Sequence, residues 1–139
     1  PFTMWVQSHA DATGQDWLSA YDDVTAFLHC LGKPRCKPEV WRWRRLALEA
    51  GWMPYELPRL MCVVYRESHG QPGVEYRGTA RRPEWSVGLL QLNTNGSMLT
   101  WYEAQGWTRE SLKDPATNLA AGRALFDAYG WKPWGGCRG

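Results

Sequence analysis

The chain has 139 residues, a length that suits a single domain with its own hydrophobic core. Its formal net charge is only +2 and its acidic and basic residues are interspersed, so the sequence lacks the basic stripe typical of nucleic-acid-binding proteins. No apolar run approaches the ~20 residues that a transmembrane helix requires. We therefore predict one monomeric domain over residues 1–139 that neither binds nucleic acid nor inserts into a membrane.

The N-terminal half is predicted to be helical after a short arm. Residues 1–14 end in Ala-Thr-Gly, and we expect an extended arm there. Residues 15–31 carry apolar side chains at helical spacing, up to the Gly-Lys-Pro break that follows. A further helix is predicted over residues 39–50, ending at Gly51, and the next enters between two prolines and runs to about Ser68.

The C-terminal half is predicted to hold a small irregular lobe and then more helix. Residues 71–87 are rich in glycine, proline and arginine, which favours a loop with a short hairpin, and residues 97–105 have a helical pattern. The last helix is the best marked, because Asp114 is a natural N-cap, Pro115 a natural first residue and Gly130 a natural end. The predicted fold class is mainly α with a small irregular or β lobe.

The four cysteines predict disulfides rather than a metal site. Cys30, Cys36, Cys62 and Cys137 contain no CxxC pair and match no zinc-binding spacing, so we expect no metal and no other cofactor. An even count in a small chain favours two disulfides and an oxidising compartment, with four free thiols as the alternative. We predict Cys30–Cys36 across a short turn and Cys62–Cys137 under the Gly-rich tail, although the other two ways of pairing stay open.

One glutamate stands out on the helix that ends near Ser68. Leu60, Val63, Val64 and Glu67 stand at i, i+3, i+4 and i+7, which places a carboxylate on an apolar stripe at a helix C-terminus. Burial and the negative end of the helix dipole should both raise the pKa of such a carboxyl. A carboxylic acid that stays protonated near neutral pH can act as a general acid. The alternative is a frayed helix end whose glutamate faces solvent.

The order of two short motifs resembles a known group of enzymes. Glu-Ser-His-Gly at residues 67–70 precedes Gly-Leu-Leu-Gln-Leu-Asn at residues 88–93, an order similar to that of the goose-type lysozymes and the soluble lytic transglycosylases. The resemblance implies an α+β lysozyme-like fold with a sugar-binding cleft, in which Glu67 is the catalytic acid. It also implies that Ser86 and Gln91 line the cleft, where they contact sugar or orient the acid.

The resemblance extends into the last helix and covers roughly residues 41–134. Asn118, Gly122, Leu125 and Tyr129 share one face of that helix at helical spacing. The resemblance implies that Asn118 and Tyr129 bind substrate, and Gly122 would permit close packing of the helix. The tail from Gly130 to Trp134 is similar to that of small actinobacterial and phage members.

The sequence departs from the goose-type pattern at the position where a second carboxylate is expected. Asn93 follows the Gly-Leu-Leu-Gln-Leu run where goose-type enzymes have an aspartate, and an amide cannot activate water as a base. We therefore expect transglycosylase chemistry, with Asn93 contacting substrate. The alternative is a hydrolase in which Glu84 or Glu75 supplies the second carboxylate; the plainer interpretation of both is solvated charges paired with the arginines of the same loop.

These expectations combine into one predicted function with open alternatives. The predicted activity is cleavage of the peptidoglycan glycan strand between N-acetylmuramic acid and N-acetylglucosamine, at an extracellular, periplasmic or virion-associated location. The alternatives are a non-catalytic wall-binding or virion structural module and an enzyme that acts on chitin. Ten tryptophans exceed what a small core needs, so one or more of them could stack on sugar rings.

Overall fold

The computed structural model describes residues 1–138 and confirms a mainly α protein with a small β lobe. The described chain falls into two compact units, one over Pro1–Arg45 and a second that begins at Leu46. The α-helices are α1 Phe2–Thr13, α2 Trp17–Cys30, α3 Pro38–Trp41, α4 Arg44–Glu49, α5 Leu57–Ser68, α6 Ser97–Glu103 and α7 Pro115–Tyr129. The strands are β1 Glu75–Arg77, β2 Trp85–Val87 and β3 Leu92–Asn93. None of the helices within residues 1–138 combines the length and the apolarity that crossing a membrane requires.

The first unit begins with a helix, so the predicted extended arm over residues 1–14 is wrong. Val6 and Ala10, one helical turn apart on α1, are buried together with Ala20 of α2. Burial of this stripe stabilises a helix in a segment that has no side-chain N-cap. The Ala-Thr-Gly end belongs to the helix as well, because Gly14 closes it in a left-handed conformation with φ 74°.

The first two of the three helices predicted in the N-terminal half are present, but the second is interrupted. The helix predicted over residues 15–31 is α2. The helix predicted over residues 39–50 is divided into α3 and α4 by a turn at Arg42 and Trp43. The backbone N–H of Trp43 bonds to the carbonyl oxygen of Val40, three residues back instead of four, which tightens the chain there.

The helix that carries Glu67 begins and ends as predicted. A 3₁₀ turn over Pro54–Glu56 leads into α5, and His69 closes the helix in a left-handed conformation with φ 54°. The ion pair between buried Glu56 and Arg123 of α7, at 2.6 Å, fixes the start of α5 against the last helix. Breaking such a pair on one side leaves a buried charge uncompensated, so it holds these elements in place.

The small lobe is a three-stranded antiparallel sheet in the order β1-β2-β3, and it confirms the predicted hairpin. Ser86 is its central residue, opposite Tyr76 on one side and Asn93 on the other. Gly78 closes the hairpin, because a Cβ there would lie 2.2 Å from the carbonyl oxygen of Arg82. No other residue type fits without moving that backbone.

The last helix has the predicted caps and packs tightly against the loop after β2. The side chain of Asp114 accepts from the backbone N–H of Thr117, and Pro115 is the first helical residue. A Cβ on Gly122 would lie 2.2 Å from Leu90 Cδ1. The glycine therefore allows the close helix packing that the sequence predicts.

Both predicted disulfides are confirmed. Cys30–Cys36 closes the turn after α2 in the first unit, with its Cα atoms 5.1 Å apart. Cys62–Cys137 joins α5 to the C-terminal tail in the second unit, with its Cα atoms 5.9 Å apart. The tail lies close over the helix, since a Cβ on Gly136 would come within 2.6 Å of the Arg66 guanidinium.

Candidate functional site

Glu67 lies in the last turn of α5, half-buried at the end of the apolar stripe. Leu60, Val63 and Val64 on that stripe are buried, as the spacing predicts. Burial raises the pKa of the Glu67 carboxyl, the charge of Arg66 opposes the shift, and the charge of Glu84 adds to it. No residue within 1–138 gives this carboxyl a hydrogen bond or an ion pair. The site therefore stabilises the protonated form more than water would, and it leaves the half-buried carboxyl accessible to a ligand.

Glu84 is the second carboxylate that the structure brings to Glu67. The two are close enough for the charge of Glu84 to raise the pKa of Glu67. The Ser86 hydroxyl donates to Glu84 Oε2 at 2.5 Å, and the Glu84 carbonyl oxygen accepts from the backbone N–H of Gly78. Ser86 is buried and holds Glu84, not Glu67, in place. The resemblance implies that Ser86 lines the cleft, and the structure gives its hydroxyl Glu84 as hydrogen-bond partner.

Glu75 belongs to a surface ion pair instead. Its carboxylate lies 2.9 Å from Lys113 Nζ, and the hydrogen bond from Lys113 lowers its pKa. The plainer interpretation of Glu75 as a paired loop charge is therefore the one that fits, although its partner is a lysine outside the loop rather than a loop arginine. This leaves Glu84 as the candidate for a second carboxylate.

Gln91 fixes the loop between β2 and β3. Its Nε2 donates to the carbonyl oxygens of Val74 and Gly88, at 3.0 and 3.1 Å. Its backbone has φ 47°, an uncommon conformation for a residue other than glycine. Since both partners are acceptors, the amide nitrogen must face them, and the amide oxygen has no partner within residues 1–138. That oxygen is available to accept a hydrogen bond from a ligand.

Asn93 uses its side-chain oxygen on the protein backbone. Oδ1 accepts from the N–H groups of Trp85 and Asn95, at 3.1 and 3.0 Å. Both partners are donors, so the amide nitrogen points away from them, and nothing within residues 1–138 accepts from it. The residue is exposed, and it offers a ligand a donor where an aspartate would offer a charge.

Asn118 requires a correction, because the structure gives it no contact with solvent. Its side chain is 0% exposed and bonds only to backbone: Nδ2 donates to the oxygens of Val87 and Leu112, and Oδ1 accepts from the N–H of Leu90. The predicted role in substrate binding is therefore replaced by a structural one. Asn118 holds the loop that carries Gln91 on α7, and a Cβ on Gly88 would lie 2.2 Å from its Nδ2.

A pocket of about 380 Å³ opens beside this loop. Its wall includes the polar side chains of Gln91, Asn93 and Tyr129. Its apolar floor, which the sequence does not predict, is formed by Leu92, Met98, Tyr102, Leu125, Pro133 and Trp134. Tyr129 is half-exposed at the rim, where the helical spacing had placed it on the same face as Leu125. Neither Glu67 nor Glu84 belongs to this wall.

Two buried groups shape the floor of the pocket. Trp134 Nε1 donates to the carbonyl oxygen of Leu90 at 2.9 Å, which fixes the tail on the loop. The Tyr102 hydroxyl is fully buried and has no hydrogen-bond partner within residues 1–138. No sequence motif surrounds Tyr102 on α6, so the sequence does not predict that it lines a pocket. Of the two residues, only Trp134 belongs to a recognisable motif, the Trp-Lys-Pro-Trp tail.

The exposed tryptophans do not gather at this site. Trp5 and Trp17 are exposed, at 60% and 41%, and both belong to the first unit. Trp85 lies beside Glu84 on β2, but Arg77 and Arg109 each stack on its ring, with guanidinium carbons 3.5 Å from the centroid. Trp134 is the tryptophan of the pocket wall, but it is only 4% exposed, and the half-exposed Trp101, Trp107 and Trp131 of the second unit do not line that pocket.

Comparisons with known proteins add no relative to this description. No protein-family model matches the chain, and no match was found among curated proteins or among solved structures. Among residues 1–138, no three His, Cys, Asp or Glu side chains form a group suited to holding a metal ion.

Proposed function

We propose that this protein cleaves the glycan strand of bacterial peptidoglycan with Glu67 as the general acid. The observation that carries the proposal is the state of that carboxyl, which is half-buried at a helix end, has a raised pKa and lacks a partner within residues 1–138. A glycosidic oxygen needs such a proton donor to leave. The motif order at residues 67–70 and 88–93 supports the choice of peptidoglycan as substrate.

The preferred reaction is that of a lytic transglycosylase. Glu67 gives its proton to the oxygen that joins N-acetylmuramic acid to N-acetylglucosamine, and the bond from that oxygen to C1 of the muramic acid breaks. The Glu67 carboxylate then takes the proton of the C6 hydroxyl on the same sugar, whose oxygen attacks C1. The products are a 1,6-anhydro-muramic end and a free N-acetylglucosamine hydroxyl, and Glu67 regains its proton. Asn93 supports this route, because an amide is not a base.

Hydrolysis is the second candidate, and one observation favours it. Glu84 lies close enough to Glu67 to shift its pKa, and Ser86 holds it in position. In an inverting glycosidase, a second carboxylate takes a proton from the water that attacks C1, with the two carboxyls about 6.5–9.5 Å apart. Glu84 would be that base, and the product would be a reducing sugar end.

The pocket beside Gln91 would hold a sugar of the same strand. Apolar side chains with a few polar groups at the rim are typical of small-ligand pockets. The apolar floor suits a sugar face or an acetamido methyl group, while the Gln91 oxygen and the Tyr129 hydroxyl suit hydroxyl and amide groups. The sugar-binding cleft is part of this proposal.

Product analysis decides between the routes. Purified peptidoglycan sacculi would be incubated with wild type and with Glu84→Gln, and the released fragments analysed by mass spectrometry. Anhydro ends from both proteins support the transglycosylase. Reducing ends from wild type, with loss of activity in Glu84→Gln, make the protein a hydrolase. Release from colloidal chitin but not from sacculi would make it a chitin enzyme, and binding to sacculi without any release would make it a wall-binding module.

A further inference from the structure

The hairpin that carries Glu84 also presents three arginine side chains. Arg77 ends β1, and Arg81 and Arg82 stand in the turn that follows. All three are exposed, and no carboxylate within residues 1–138 forms an ion pair with any of them. The two glutamates of the same segment interact with other residues, because Glu75 forms an ion pair with Lys113 and Glu84 accepts a hydrogen bond from Ser86. The hairpin therefore presents three arginines without an ion pair within residues 1–138, and of these only Arg77 contributes to the lowered pKa of Glu75.

The shape of the turn is fixed by the backbone. The backbone N–H of Gly78 donates to the carbonyl oxygen of Glu84, and that of Thr79 donates to the carbonyl oxygen of Arg82. The backbone N–H of Arg82 donates to Thr79 Oγ1. Gly78 permits the close approach of the two strands at this point. The arginines thus stand on a defined turn, which limits the conformational entropy that binding would cost.

Arg77 is held in a conformation suited to binding an oxyanion. Its guanidinium lies over one face of Trp85, 3.5 Å from the ring centroid, while Arg109 covers the other face. Stacking uses the flat face of a guanidinium and leaves its N–H groups free in the plane, where they match a carboxylate or phosphate. The Arg109 guanidinium donates hydrogen bonds to the hydroxyl and the carbonyl oxygen of Thr94, whereas no acceptor within residues 1–138 takes a hydrogen bond from Arg77.

We propose that Arg77, Arg81 and Arg82 bind the free carboxylates of the peptide stem on the strand that is being cleaved. This inference rests on the proposed function. The hairpin places the arginines a few residues from Glu84, whose charge reaches Glu67, so an anion bound here would belong to the substrate at the reaction site. The stem carboxylates are carried on the muramic acid residues of that strand, the sugars whose C1 bond is cleaved.

The test compares two substrates that differ only in the charge of their stems. Teichoic acid is removed from sacculi, and in half of the material the free stem carboxylates are converted to methylamides with a carbodiimide and excess methylamine. Arg77→Gln with Arg81→Gln is compared with wild type and with Lys33→Gln plus Arg35→Gln, which changes the net charge equally in the first unit. We expect the arginine variant to lower kcat/KM on strands with free stem carboxylates by roughly two- to tenfold at low salt, and to leave the rate on the amidated strands unchanged.

Three results would overturn the inference. An equal loss of kcat/KM on both substrates would mean that the arginines stabilise the hairpin or contact the glycan. No loss of kcat/KM on either substrate would mean that the arginines do not contribute to substrate binding. An effect that appears only in a parallel assay on walls that retain teichoic acid would assign the site to phosphate. If wild type cleaves neither substrate, the proposed function fails. Calorimetric titration with a soluble muramyl tetrapeptide and with its amidated form then tests the arginines alone. Tighter binding of the free acid would support the inference, and equal binding of the two forms would contradict it.

Discussion

Asn118 provides the sharpest test of how the loop that carries Gln91 is held. Asn118→Ala would remove three hydrogen bonds and leave the N–H of Leu90 and the carbonyl oxygen of Leu112 without these partners, while the Val87 oxygen keeps its pairing with Leu92 in the sheet. Each group left without a partner costs about 1–3 kcal/mol, so the loss is on the order of 2–6 kcal/mol. Domains of this kind are stable by about 5–15 kcal/mol, and we therefore expect a large fall in the free energy of unfolding or failure to fold.

Urea denaturation followed by circular dichroism measures this loss, with Asn95→Ala as the matched control because Asn95 is exposed in a nearby turn. Asn118→Asp adds a second reading, since the carboxylate keeps the acceptor for Leu90 but faces two carbonyl oxygens. Burial should raise the pKa of that new carboxyl, so its cost is present above the folded-state pKa and shrinks as the pH falls. If Asn118→Ala unfolds within about 1 kcal/mol of the control, the three hydrogen bonds do not hold the loop.

Three further changes test other parts of the site. Glu84→Gln removes a neighbouring negative charge and should lower the pKa of Glu67 in an NMR titration of its carboxyl carbon; an unchanged pKa would contradict the coupling. Replacing both Cys62 and Cys137 by serine should lower the free energy of unfolding by roughly 4–5 kcal/mol, because that disulfide spans 75 residues, whereas replacing Cys30 and Cys36, six residues apart, should lower it by about 2 kcal/mol. Equal losses in denaturant unfolding would refute the loop-length reasoning. Tyr129→Phe should keep the melting temperature and lower kcat/KM on sacculi by about 5- to 100-fold if its hydroxyl binds substrate, whereas a wild-type rate would make it a rim residue without contact.

The parts of the fold that the sequence predicted are those set by neighbouring residues. Asp114 and Pro115 begin α7 and Gly130 ends it because caps act within one turn. The stripe that ends in Glu67 follows from helical spacing alone. The disulfide at Cys62 could be predicted because the residue lies off the stripe of its helix.

The missed features depend on residues that are distant in the chain. Helix α1 is stabilised by burial against Ala20, which the composition of residues 1–14 does not reveal. The role of Asn118 depends on backbone groups up to 31 residues away, so its helical face alone suggested a cleft residue. The proximity of Glu84 to Glu67 depends on the direction in which the hairpin folds back, which the loop sequence left open.

The catalytic role of Glu67 is tested most directly by Glu67→Gln, assayed on purified sacculi with fragment release measured by mass spectrometry. Glutamine has nearly the same shape and cannot donate a proton as an acid does, and general acid catalysis is worth about 10²–10⁴-fold. We expect release to fall by at least that factor while circular dichroism and the melting temperature stay close to wild type, and Glu75→Gln serves as a control with near-normal release. Release by Glu67→Gln within a few-fold of wild type would contradict the proposed catalytic acid.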